Sequence, residues 1–174
     1  MPAAESRTQL VQRALREFEG PLIAYAASLL GDLERGRDVV QDTFIRLYEQ
    51  PEGKVTDGLK SWLYTVCRNR ALDVLRRDRR LVEWNDDAAR GLSTGEADPS
   101  ENLASRETQS RIMRFVDRLP ANQREVIRLK FHADLSYKEI AEVTGLSVAN
   151  VGFLLHTGLK RLRGLMSHER SSLS

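Results

Sequence analysis

The chain has 174 residues, enough for one or two small domains. Charged residues make up 30% of it, yet the net charge is only +2, and a single cysteine, Cys67, rules out an intrachain disulfide. No apolar run approaches the ~20 residues of a membrane span, the N-terminus MPAAESRTQL lacks a secretory pattern, and His132, His156 and His168 are too dispersed for metal-ligand spacing. A cytoplasmic protein without membrane insertion, metal or cofactor is expected.

In chain order, residues 6–18 carry Leu10, Val11, Ala14, Leu15 and Phe18 at helical spacing. Gly20-Pro21 is expected to break this helix, and Pro21 suits the first turn of a second one running to Leu30, which Gly31 ends. A third helix is predicted over about Leu33–Gln50, with Val39, Val40, Phe44, Leu47 and Tyr48 turned inward. Asp57 can cap a fourth, reaching about Arg80, whose inner stripe is Leu59, Trp62, Leu63, Val66, Cys67, Ala71, Val74 and Leu75.

The charge is segregated along the chain. Residues 60–80 hold seven basic and two acidic side chains, and residues 81–107 hold two basic and seven acidic ones. A basic helix followed by an acidic connector suits nucleic-acid contact and a solvated tether. The stretch from 81 to about 100 has few large apolar residues and many turn formers, so it cannot offset its ordering entropy and reads as a flexible linker. A helix with Ile112, Phe115, Val116 and Leu119 inward then resumes, and Leu119-Pro120 stops it. Another spans about Ala121–His132, with Val126, Ile127, Lys130 and Phe131 on successive turns.

Residues 136–163 read as a helix-turn-helix. Ser136 with Glu139 three residues on forms a capping box, Ile140, Ala141 and Val143 give an apolar face, and Gly145 supplies the left-handed turn that Leu146 plugs. Ser147 caps the next helix, on which Val151, Leu155, Leu159 and Leu162 recur at helical spacing and Lys160, Arg161 and Arg163 supply cations. No segment alternates with period two. The fold class expected is all-α: two small helical domains, 1–80 and 106–174, joined by a flexible acidic linker, 81–105.

This order resembles the extracytoplasmic-function (ECF) group of bacterial sigma factors of the sigma-70 family. LLGDLERGRDVVQDTFIRLYE resembles the polymerase-binding helix of the family's second region, LKSWLYTVCRNRALDVLRRDRR its promoter-melting and −10 segment, and LPANQREVIRLKFHADLSYKEIAEVTGLS its fourth region, which meets the −35 element. The resemblance implies a non-enzymatic subunit that binds core RNA polymerase, through the clamp helices of the largest subunit and through the flap, and promoter DNA. It also implies an anti-sigma factor as a further partner.

By the same resemblance, Asp38, Gln41, Asp42, Ile45 and Arg46 would meet the clamp helices, and Tyr64, Arg68, Asn69, Arg70, Asp73, Arg76, Arg77 and Arg80, with Arg79 beside them, would hold the opened −10 strand. Arginines neutralise phosphate, and Asn69 can bond the edge of an unstacked base. Trp62 and Tyr64 are each open to two readings, core residue or stacking platform.

Arg124, Lys138, Ser147, Asn150, Phe153, His156, Lys160 and Arg161 would serve the −35 duplex. Here the chain departs from the family pattern. VANVGFLLHTG lacks the long polar side chains usual near the start of this helix, so base-edge bonding falls to Ser147, Asn150 and His156, while Phe153 either touches a thymine methyl or packs inside. The competing expectation is a free-standing helix-turn-helix regulator with an N-terminal sensor domain, for which a basic helix over residues 68–80 has no use. No nucleophile–base pair or phosphate-cradling glycine loop points to an enzyme.

Overall fold

The computed structural model describes residues 4–84 and 103–174. Among these residues are seven α-helices and no strand: α1 (Arg7–Leu30), α2 (Leu33–Glu49), α3 (Leu59–Trp84), α4 (Leu103–Asp117), α5 (Ala121–Phe131), α6 (Tyr137–Thr144) and α7 (Val148–Ser172). The contacts divide the chain into two units, Met1–Glu96 and Ala97–Ser174. The expected fold class, all-helical, is what is observed. The expected linker is narrower than 81–105, because α3 continues to Trp84 and α4 begins at Leu103. The flexibility expected of the remainder, 85–102, lies outside the described residues.

In the first unit α1 packs along α2, and both pack on α3. The break expected at Gly20-Pro21 does not occur, and α1 is a single helix with Pro21 inside it. An interior proline costs about 3 kcal/mol because the Glu17 carbonyl loses its amide donor. Pro21 lies on the exposed side, where water can reach that carbonyl, and Ala14, Leu22, Tyr25, Ala26 and Leu30 form one buried stripe across the break. Burying Leu22 and Leu30 contributes roughly 1.5–3 kcal/mol each, enough to offset the lost bond. The first helix starts at a capping box the sequence reading did not mark, in which the Ser6 hydroxyl accepts from the Gln9 N–H and Gln9 accepts from the Ser6 N–H.

Helix α2 follows the reading closely. Asp32 caps it by accepting from the N–H groups of Glu34 and Arg35, and Val39, Val40, Phe44 and Leu47 are buried. Its approach to α1 is set by Gly36, where an added Cβ would lie 2.8 Å from the Ala27 backbone nitrogen. Tyr48 departs from expectation and is 53% exposed. Helix α3 begins at Leu59, two residues beyond Asp57, after Gly58 turns the chain at φ 74°.

The buried stripe of α3 is Leu59, Leu63, Tyr64, Cys67 and Ala71. Of the two aromatics left open between core and surface, Tyr64 is 1% exposed with its ring 5.3 Å from that of Tyr25, whereas Trp62 is half-buried. A stripe repeating at 59, 63, 67 and 71 includes 64 beside 67 and turns 62 toward its edge. Val66, Val74 and Leu75 are likewise only half-buried. Cys67 is fully buried, and burial pushes its thiol up to about 12, opposed by a hydrogen bond with Thr43.

In the second unit α5 and α6 both pack on α7, and Gly158 admits α5: a Cβ there would lie 2.8 Å from the Ile127 Cδ1. Helix α4 packs on α5 and is tied to the far end of α7 by Arg111, which donates to Glu169 at 2.9 Å. Phe115, Val116, Leu119, Val126, Ile127, Leu129, Ile140, Val143, Val151, Leu154 and Leu155 are buried. Ile112, expected to face inward, is 37% exposed, and Phe131 is 62% exposed.

Two outcomes are expected. Gly36→Ala should destabilise the first unit by about 1–3 kcal/mol, because the helices must move apart. Urea unfolding followed in the full chain checks this. Cys67 should resist thiol reagents at pH 8 in the native protein and react fully once denatured, since a protonated, fully buried thiol supplies almost no nucleophile.

Candidate nucleic-acid interface

The outer face of α2 presents Asp38, Gln41, Ile45 and Arg46 to solvent, with Ile45 50% exposed. Their side chains stand opposite Val39, Val40 and Phe44, so helical geometry alone separates the free face from the core. Asp42 is half-buried and engaged, accepting from Arg70 of α3 at 2.9 Å. Beside this face runs a groove of about 550 Å³ between α1 and α2, lined by Val11, Leu15, Ile23, Phe44, Ile45 and Tyr48, with Glu19, Arg37, Asp38 and Gln41 adding polar groups. The sequence reading missed this groove because it assigned Tyr48 to the core. The exposed tyrosine carries the Arg7 guanidinium 5.6 Å from its ring centre.

On α3, Asn69, Arg76, Arg77, Arg79 and Arg80 are exposed. Asn69, Asp73, Arg76 and Arg80 follow one another at intervals of three and four, so they form a single face. Asp73 pairs with Arg76 at 2.9 Å, an exposed ion pair of the kind worth at most about 1 kcal/mol, which leaves the face net cationic. Arg68 and Arg70 are half-buried, and Arg70 is turned to Asp42. Arg35 and Asp78 form a second ion pair between α2 and α3. Tyr64 is enclosed by the core, and its burial raises the phenol's pKa above the ordinary value. A buried phenol offers no stacking face. Trp62 is half-buried.

In the second unit α6 and α7 meet at 104°, within the range of helix-turn-helix pairs. The local chemistry that builds this corner is as read. The Ser136 hydroxyl accepts from the Glu139 N–H at 3.1 Å, Glu139 accepts from the Ser136 N–H at 2.7 Å, and Gly145 ends α6 at φ 76°. Ser147 caps α7 by accepting from the Asn150 N–H at 3.1 Å. Val151, Leu154 and Leu155 face the core, so Val148, Ala149, Asn150, Phe153, His156, Lys160 and Arg161 are all exposed, as is Lys138 on α6. Phe153 is 64% exposed, which resolves its two readings in favour of the outward one. Arg124 is half-buried and donates to the Asp117 carbonyl at 3.1 Å, so it is partly engaged within the unit.

One residue of this corner escaped the sequence reading. Tyr137, 45% exposed, lays its ring over Gly152, with Cε2 3.5 Å from where a Cβ would stand, and carries the Lys130 ammonium 5.8 Å from its centre. The signal was the glycine one turn into α7, read only as a small residue. Below it, Ile112, Met113, Val116, Ile127, Phe131, Leu159 and Leu162, with Arg128 and His132, line a groove of about 280 Å³. Arg128 bonds Asp117, and its burial lowers the guanidinium's pKa from the ordinary value.

Among the described residues no single helix is long and apolar enough to cross a membrane, and no group of His, Cys, Asp or Glu is placed to hold a metal. Residues 14–81 match the family model of sigma-70 region 2, and residues 109–162 that of sigma-70 region 4. Between them the two regions take in most of the chain. Similar proteins include the ECF RNA polymerase sigma factor SigM of Bacillus subtilis, 28% identical over 81% of this chain and 85% of that protein, and SigL of Mycobacterium tuberculosis, 29% identical over 92% and 91%.

The fold is shared with the sigma factor RpoE in complex with the anti-sigma factor NepR from Bartonella quintana (TM-score 0.73, 24% identity, 90% of this chain and 96% of that one). It is shared also with CnrH in complex with the cytosolic domain of CnrY (TM-score 0.65, 22% identity, 95% and 93%). With both sigma-70 regions present in order, each on its own helical unit, the chain belongs to the sigma-70 family and, within it, to the ECF sigma factors.

Proposed function

We propose that this chain is an alternative sigma factor that binds core RNA polymerase and directs initiation at promoters with paired −10 and −35 elements. The observation that carries the reading is the pairing, within one unit, of the α2 face with the exposed arginine face of α3, while a helix-turn-helix occupies the other unit. Family members are DNA-binding initiation factors, and the catalysis of transcription belongs to the polymerase. Cytoplasmic action beside the polymerase follows from that role.

Asp38, Gln41, Ile45 and Arg46 form the surface for the clamp helices. Asp42 acts through Arg70, holding the α2 and α3 faces in a fixed relation. Asn69, Arg76, Arg77 and Arg80, with Arg79, form the surface for the opened −10 strand, and Trp62 is the aromatic available for stacking. Capture of unpaired bases offsets the loss of stacking, on the order of a few kcal/mol per extruded base, so opening needs no hydrolysis. Ser147, Asn150, Phe153 and His156 face the −35 bases, and Lys138, Lys160 and Arg161 the flanking phosphates. The apolar groove bordered by Ile112 and Phe131 suits an apolar segment of the polymerase flap. Two solved relatives carry anti-sigma factors, and the groove between α1 and α2, next to the polymerase face, is where such a partner would compete with polymerase here.

Run-off transcription with purified core polymerase, followed by sequencing of start sites, tests the function. Transcripts that begin at shared upstream elements only when this chain is added are the expected result. Operator binding by a lone dimer, without added initiation, would establish the free-standing regulator instead. Lys160→Ala should weaken promoter binding uniformly across sequences and reduce the magnitude of the slope of log affinity against log salt by about one unit, measured by titration of the holoenzyme.

A further inference from the structure

The first turns of α7 carry an apolar strip that the unit's own core does not use. Val148 is 49% exposed, Phe153 64%, and Tyr137 of α6, lying over Gly152, 45%. Ala149 is exposed one turn before Phe153 on the same face and adds no bulk that would keep a ligand from the ring. Leaving a phenylalanine outside forfeits the stabilisation its burial would contribute. Several large apolar side chains left exposed at one end of a helix mark a binding surface more often than a single scattered one does.

The charge around the strip says what it meets. From Val148 to Arg163, α7 has no acidic residue, and Lys138, Lys160 and Arg161 are exposed around the strip. An apolar centre framed by cations fits the floor of a DNA major groove between its phosphate walls, and the 104° corner presents this end of α7 outward as helix-turn-helix docking requires. In that groove thymine alone carries a methyl group, so an apolar side chain distinguishes it from the other bases without a hydrogen bond.

We propose that Phe153 is the specificity-determining centre of this helix and reads thymine 5-methyl groups of the −35 element, leaving Asn150 and His156 to supply the remaining base-edge bonds. This rests on the reading of the second unit as the −35 docking module. It implies an element in which one or more thymines are required for their methyl groups, on either strand.

The test uses the holoenzyme and a promoter identified by start-site mapping. Each −35 thymine is replaced in turn by deoxyuridine, which removes the methyl group and keeps the base pair. At one or more positions the wild-type holoenzyme should bind 3- to 10-fold more weakly. Phe153→Ala should bind the thymine promoter more weakly and show no difference between thymine and deoxyuridine at those positions, whereas Phe153→Leu should retain part of the difference. Because Phe153 is exposed, neither variant should change the unfolding midpoint. Normal initiation with equal binding of thymine and deoxyuridine at every position, or a mapped element without thymine, would overturn this inference and leave the sigma-factor reading intact. Absence of any promoter-directed initiation would overturn both.

Discussion

Two helix crossings, each seated on a glycine, hold the functional faces in place. At Gly36 the α2 backbone comes so near the Ala27 backbone that no side chain fits between, and at Gly158 α7 receives the Ile127 and Gln123 side chains of α5 where a Cβ would stand. Such contacts fix rotation as well as distance, because only one side of a helix bears the glycine. Once α2 is seated on Gly36, Val39, Val40, Phe44 and Leu47 must point inward, and Asp38, Gln41, Ile45 and Arg46 are left outside. Seating α7 on Gly158 likewise buries Val151, Leu154 and Leu155 and exposes Ala149, Asn150, Phe153 and His156. The ligand-facing residues are defined by subtraction from the packed ones.

Electrostatics adds relation more than strength. Arg70–Asp42 and Arg35–Asp78 both join α2 to α3. Partly exposed pairs of this kind contribute about 1 kcal/mol or less, small beside the apolar core. Their effect is to hold the long, basic α3 at a set angle to α2, so that the surface assigned to polymerase and the surface assigned to the opened strand move as one body. Arg70 stands at the junction, which is why it is less available to phosphate than its place in a run of arginines suggests.

Much of this was legible in the sequence because local rules and global packing agree. Ser136 with Glu139, Gly145 and Ser147 each signal a helix end by chemistry that acts within four residues, and each does in the structure what its type implies. What could not be read depends on partners far along the chain. Pro21 ends a helix by local rules, but the buried stripe continuing from Ala14 to Tyr25 overrides it. Tyr64 and Trp62 are two residues apart, and which one is enclosed is decided by where Tyr25 stands. Tyr48 and Phe131 continue apolar periodicities past the point where a neighbouring helix covers them, so each becomes a groove wall instead of core. At the DNA-facing corner, the spacing of Val151 and Leu155 identified the buried side of α7, while the exposure of Phe153 and the placement of Tyr137 over Gly152 required three dimensions.

Helix α7 serves as both spine and reader. Its inward residues and Gly158 receive α5 and α6, and its last turns hold α4 through Glu169, whereas none of Ala149, Asn150, Phe153 and His156 is buried. Stability and recognition therefore draw on separate letters of one helix. On the proposed assignment, a lineage, or an engineer, can recode the outward letters Asn150, Phe153 and His156 to address a different set of genes while the scaffold beneath stays intact, so that new, mutually insulated promoter dialects arise from one inherited frame.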